Sequence, residues 1–163
     1  MINKAILPPR KGYVERVNPT TGEHYYHKVY TKVGTVHKKI IIDKSQTFTR
    51  PLRATNIMIT LVGAGGSVAS GINGANGEIV SKRIPLEFHK KYAIAIGEAG
   101  SNGESGEPTS FGDLFIAMGG QSGVESDSKP LIVDGIEYGL GETKDHPATQ
   151  GICIIEYEEP IYE

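Results

Sequence analysis

Asp145 and His146 stand side by side, and Ser67 follows a cluster of glycines. Together they could supply the base, orienter and nucleophile of an acyl-transfer triad. No serine lies in a G-x-S-x-G elbow, so the strained turn that exposes such a nucleophile is missing, and an Asp-His-Pro loop is more often a solvated turn. Glu98, Glu104 and Glu107 place three carboxylates in glycine-rich sequence, but paired-carboxylate chemistry depends on a separation that spacing alone does not set. His24, His27 and His37 invite a metal reading. His24 and His27 are three apart, which on a strand puts them on opposite faces, and no Asp-x-Asp-x-Asp loop offers calcium ligands. The single cysteine, Cys153, alternates with Ile152 and Ile154 and reads as a buried structural thiol. No catalytic or metal-binding constellation emerges, and the expectation is a protein that is not an enzyme and carries no cofactor.

One further motif points to nucleotides. Ile59-Thr60-Leu61-Val62-Gly63-Ala64-Gly65-Gly66 resembles the strand and first glycines of a dinucleotide-binding unit, whose pyrophosphate rests on a following helix N-terminus. The third glycine is replaced by Val68, and residues 71–77 read Gly-Ile-Asn-Gly-Ala-Asn-Gly, a composition that opposes a helix. No glycine precedes Lys-Ser or Lys-Thr, so the P-loop lysine is also missing. A dinucleotide enzyme stands only if residues 66–76 are helical.

The elements that would position such groups are organised by glycine. Of 21 glycines, 14 fall between Gly63 and Gly123. Gly71, Gly74 and Gly77 keep a period of three, as do Gly97, Gly100, Gly103 and Gly106. About three residues per turn is the repeat of the polyproline-II helix, which has no internal hydrogen bonds. With glycine along one edge, such a segment can lie directly against a neighbouring backbone. Ordering glycine costs about 0.5–1 kcal/mol per residue relative to Ala, so the loops either pack on one another or stay mobile; the periodicity favours packing. Gly100 and Gly103 are then expected on a packed edge, and Asn102, one position out of phase, is expected to be insensitive to substitution.

Short apolar runs separated by turn signals surround the glycines. Ile40–Ile42, Phe48–Leu52, Ile57–Val62, Glu78–Ile84, Tyr92–Ile96, Phe111–Met118, Leu131–Ile136 (with an Asp-Gly turn) and Ile152–Tyr157 are the strand candidates. Ala93 and Ala95 predict a second face that packs closely, and 111–118 reads as one strand. No amphipathic helix of normal length and no span of transmembrane length is found. The fold expected is all-β, a β-sandwich with glycine-rich loops and a jelly roll among its possible arrangements, preceded by an N-terminal arm and hairpin.

The chain divides in expectation into residues 1–34 and 35–163. Pro8-Pro9 extends the arm, and Tyr13–Val17 and His24–Tyr30 flank Asn18-Pro19-Thr20-Thr21-Gly22 as a hairpin. Residues 1–50 hold ten Lys/Arg against three Asp/Glu, a balance of +7, and the remainder seven against sixteen, −9. The lysines are dispersed among β-forming residues, which fits an exposed strand face or edge better than a nucleic-acid patch. Arg10, Lys11, Tyr13, Tyr25, Tyr26 and Lys28 are the candidate attachment residues. Ser67, Ser70, Asn73, Asn76, Ser101, Asn102, Glu104 and Gln121 are the candidate recognition residues of the glycine loops, where polar side chains are adaptable hydrogen-bonding groups.

Several motifs recur in a fixed order: Leu61-Val62-Gly63-Ala64-Gly65-Gly66 at a strand end, Ile94-Ala95-Ile96-Gly97-Glu98-Ala99-Gly100, Thr109-Ser110-Phe111-Gly112, and a closing Gly151-Ile152-Cys153-Ile154-Ile155-Glu156-Tyr157. In this order the chain from about Asn56 to Tyr157 resembles the glycine-rich domains at the ends of bacteriophage tail fibres and related virion appendages. The resemblance implies a virion structural protein, made in the bacterial host cytoplasm, anchored by its N-terminal region and presenting its loops to the host surface. A capsid decoration or head-fibre protein without a receptor is the alternative. The partners expected are other virion proteins, sister chains in a homo-oligomer with a trimer favoured, and a host surface glycan or protein. Neither membrane insertion nor nucleic acid is expected.

Overall fold

A computed structural model describes residues 11–163; the leading arm with Pro8, Pro9 and Arg10 lies outside them. The described residues form strands and no helix. In chain order the strands are β1 Tyr13–Val17, β2 His24–Lys28, β3 Lys32–Ile42, β4 Gln46–Thr49, β5 Thr55–Val62, β6 Ile79–Arg83, β7 Lys91–Ala95, β8 Thr109–Phe111, β9 Phe115–Ala117, β10 Leu131–Val133, β11 Ile136–Tyr138 and β12 Ile152–Tyr162. Two compact units result: residues 37–158, and the described residues up to Val36 together with 159–163.

The larger unit is a β-sandwich. One sheet has the order β3-β12-β5-β6 and the other β4-β7-β8-β9. Ile57, Ile59 and Leu61 of β5 and Cys153 and Ile155 of β12 are buried against Tyr92 and Ile94 of β7, Phe111 of β8 and Phe115 of β9. Phe111 is fully buried, stacked on Tyr92 with ring centroids 5.3 Å apart and met edge-on by Phe48 at 6.2 Å. Burial of such a ring contributes about 1.5–3 kcal/mol. The same period of two turns Val62, Ile152 and Ile154 to the opposite face, where Val133 and Tyr138 of the β10–β11 hairpin cover them. That hairpin turns at Asp134-Gly135, both with positive φ, as the sequence predicts for a two-residue turn. Cys153 has no exposed surface, and burial pushes its thiol up to about 12. It is the inert core thiol expected.

Two strand expectations are corrected. Ala93 and Ala95 are exposed, while Tyr92 and Ile94 carry the buried face, so the small residues mark solvent rather than a close second layer. Residues 111–118 are not one strand: the chain turns at Gly112, whose φ is +53, and β8 and β9 pair as a hairpin with Phe111 opposite Phe115. Leu114, Ile116 and Met118 consequently lie exposed.

In the smaller unit β1 and β2 pair from Tyr13↔Lys28 to Val17↔His24. The intervening turn is fixed by Asn18, whose Oδ1 accepts from Thr20 N at 2.9 Å and Thr21 N at 3.2 Å, while its carbonyl accepts from Gly22 N at 2.8 Å. Thr31 and Glu163 exchange backbone hydrogen bonds at 3.0 and 3.1 Å.

From the end of β5 the chain passes into a bundle of extended glycine segments. Its axis is 63–67, and the hydrogen bonds advance in steps of three. Gly63 and Gly66 donate to Glu78 and Ala75; Ala64 and Ser67 donate to Glu107 and Glu104; Gly120 and Gly123 donate back to Ala64 and Ser67. The outer segments repeat the step, with Ala75 and Glu78 donating to Gln121 and Met118, and Gly74 and Gly77 to Glu142 and Gly139. A lateral spacing of three is what segments of about three residues per turn require. Because a polyproline-II backbone makes no bonds to itself, its N–H and C=O groups are all available sideways, and buried ones need such partners. Residues 66–76 are not helical, which removes the condition on which a dinucleotide site depended.

Candidate functional site

Glycine sets how closely these segments approach. A Cβ added at Gly74, Gly77, Gly97, Gly100 or Gly106 would come within 3.0 Å of a neighbouring backbone atom, as it would at Gly65, Gly119, Gly120 and Gly141. Gly71 and Gly103 break the pattern. Neither would bring a Cβ within 4 Å of anything, and their φ values are +73 and +83. They occupy turns, so the two series keep the period for two physical reasons: close backbone contact for most members, left-handed conformation for these two.

The turns form the candidate site. Ser70-Gly71 sits in a tight reversal in which Ala69 and Ile72 exchange hydrogen bonds of 3.0 Å. Asn102-Gly103 makes another, closed by Glu104 N donating to Ser101 O at 2.9 Å. The segments 121–125 and 142–147 end beside them. Four contacts tie these tips together: Ser67 Oγ to the Glu104 carbonyl at 2.7 Å, Gly123 N to Ser67 O at 3.2 Å, Val68 N to Glu142 Oε2 at 2.7 Å, and Ser122 N to Ser105 Oγ at 3.0 Å. Between the first and last loops lies a hollow of about 510 Å³, lined by Val68, Asn73, Thr143, Lys144, Asp145 and His146 among others. It offers hydrogen-bonding groups and both signs of charge on a braced backbone.

The expected recognition residues divide. Ser70, Ser101, Asn102 and Glu104 are exposed at the tips, and Asn73 is half-buried in the hollow. Gln121 is exposed beside them. Ser67 is fully buried and its hydroxyl is bound within the bundle, so it presents nothing outward and supplies no free nucleophile to His146. Asn76 is a brace: its Oδ1 accepts from Gly141 N at 2.8 Å and its Nδ2 donates to the Ser128 carbonyl. Sequence reasoning missed Glu142 and Thr109. The Thr109 hydroxyl accepts from Gly97 N at 3.0 Å while the residue is wholly buried. The Thr-Ser-Phe-Gly motif was the available signal for the latter; Glu142 had none, because its partner is a backbone amide 74 residues away.

The attachment candidates do not share one face. Tyr13, Tyr26 and Lys28 lie on one side of the hairpin and Tyr25 on the other. Tyr13 and Tyr26 meet edge-on at 6.0 Å, and Lys28 lies 4.8 Å from the Tyr30 ring centroid. Lys11 is exposed, and Arg10 lies outside the described residues. His24 is paired with the Glu15 carboxylate. Among the described residues no group of three His, Cys, Asp or Glu side chains could hold a metal ion.

A family model described as a glycine-rich domain matches residues 42–157, taking in the glycine bundle and nearly all of the sandwich. No curated protein and no solved structure matches the chain.

Proposed function

The chain belongs to the glycine-rich domain family, and from that premise we propose that it is a non-enzymatic structural protein of a bacteriophage virion appendage, of the tail-fibre kind, that recognises the host surface through its loop tips. The observation that carries this reading is the bundle itself. Its interior spends the backbone hydrogen-bonding groups of 63–67 on neighbouring segments, so the polar groups left for a ligand are the side chains of the tips. Braced loops lose little entropy on binding, and Ser, Asn and charged residues there suit a glycan or a polar protein surface. The hairpin is the attachment part: a lone two-stranded sheet is marginal in water, and Val17 and Tyr25 leave apolar surface exposed on this one, with Tyr30 exposed just after it. Its partners are other virion proteins or sister chains, for which a trimer is favoured.

Immunogold labelling of intact particles tests the assignment. Label on tail appendages is expected; label spread over the capsid would make this a decoration protein, and unlabelled particles would remove it from the virion. Recognition is tested on host cells with a variant carrying Ser70→Ala, Asn73→Ala and Lys144→Ala. Cell binding should fall at least tenfold with thermal stability nearly unchanged, and undiminished binding would move the receptor surface elsewhere.

A further inference from the structure

A second hollow, of about 340 Å³, lies at the far end of β5 on residues distinct from the loop tips. It is lined by Arg50, Arg83, Asn56, Thr55, Ile84 and Pro85, with Ile57 beneath. Arg50 is held rigidly. Its two terminal nitrogens donate to the carbonyls of Leu86 and Ala54, each at 2.7 Å, and its guanidinium lies 4.0 Å from the Phe88 ring centroid. These acceptors are neutral, and no carboxylate pairs with Arg50 or Arg83 among the described residues. The Nε of Arg50 is buried without a hydrogen-bond partner, the kind of orphaned donor that points to an absent water or ion. Arg83 approaches through a single contact to Asn56 Oδ1, leaving most of its five donors unspent. Asn56 itself sits at an irregularity of the β5–β12 pairing with φ +56, a left-handed conformation that Asn adopts more readily than most side chains, and its side-chain oxygen accepts from Arg83.

We propose that this hollow is an oxyanion site for a monosaccharide-sized ligand bearing a carboxylate or a phosphate. Arg50 and Arg83 both line a space with no Asp or Glu in its lining, so an anion placed there meets uncompensated positive charge and takes charge-assisted hydrogen bonds from the unspent guanidinium donors. Ile84 and Pro85 supply an apolar flank for the ring that carries it. The volume lies at the lower end of small-molecule sites, about 300–1,000 Å³, which sets the ligand's size. The proposal does not rest on the host-recognition reading, since no loop-tip residue takes part.

Calorimetric titration of the full chain at low ionic strength, with glucuronate, glucose 6-phosphate and glucose as probes, tests it. At least one acidic sugar should bind, at least tenfold more tightly than glucose, and the tighter of the two identifies carboxylate or phosphate as the preferred group. Arg83→Gln, at an exposed position, should keep the wild-type melting temperature and weaken that binding at least tenfold. The Arg50 Nε–H resonance of labelled protein should shift on addition of the same sugar and stay unmoved by glucose. Equal affinity for glucose, binding undiminished by Arg83→Gln, or no binding by either acid would overturn the proposal.

Discussion

Ser67 gives both its backbone N–H and its hydroxyl to a single acceptor, the carbonyl of Glu104, at 3.1 and 2.7 Å. The residue has no exposed surface, and the double contact locks the end of the bundle's axis to the loop that carries Asn102. Replacing Ser67 with Ala removes one donor and leaves the carbonyl satisfied by the amide. The expected cost is therefore only the net value of one hydrogen bond, about 0.5–1.5 kcal/mol. Ser67→Val, which adds volume where none is free, should exceed it, in the overpacking range of about 1–3 kcal/mol. Urea melts of the two variants give the order.

The glycines separate into two mechanisms that substitution can distinguish. At Gly74 and Gly119 an added Cβ meets the backbone carbonyls of Gly66 and Gly106, groups that cannot rotate away. Gly74→Ala and Gly119→Ala should each cost at least the upper end of the overpacking range, about 3 kcal/mol. Gly103→Ala meets no atom and should cost only its left-handed backbone, about 1–2 kcal/mol. Equal losses at the three sites would mean the bundle is not packed as described.

Asn102 is the informative neighbour. Counting by threes places it out of phase and predicts indifference, but its φ is +52, in the region Asn tolerates better than most side chains. Asn102→Ala is accordingly expected to destabilise by about 1 kcal/mol, and Asn102→Gly to be neutral within a few tenths. Thermal melts of both decide whether conformation or hydrogen bonding keeps Asn at this turn.

Legibility in the sequence followed the range of the interaction. The β1–β2 hairpin, the Asp134-Gly135 turn and the alternation of Tyr92 and Ile94 are written within a few residues of one another, and the structure has them where the sequence implies. The period of three forecast laterally packed segments because steric contact recurs with the backbone repeat. It did not separate Gly103 from Gly100, since a turn and a tight contact both select glycine. Ala93 and Ala95 misled because a small residue fits a close layer and an exposed strand face alike. Ser67 looked like a recognition group because polarity says nothing of burial. Arg50 and Arg83 are 33 residues apart and line one hollow, a proximity that no local pattern reveals.

Cys153 gives the domain a pH dependence of known sign. Burial raises its thiol from the ordinary 9.0 to about 12, so the folded state keeps the proton while the unfolded chain has already released it. Below pH 9 both states are protonated and the thiol contributes no dependence. Between 9 and 12 the unfolded state binds fewer protons, and stability must fall as pH rises, by up to about 1.4 kcal/mol per unit. At pH 10.5 the loss assignable to this group is about 2 kcal/mol. Tyr and Lys also titrate there, so the measurement is a difference: urea melts at pH 8 and 10.5 for the wild type and for Cys153→Ala. The variant should be less stable at pH 8, having lost buried volume, yet should decline less steeply. The same burial predicts that iodoacetamide leaves the native thiol unmodified at pH 8 and labels it fully in urea. Parallel declines in the two proteins, together with rapid labelling of the folded chain, would place the thiol in contact with water and contradict its position in β12.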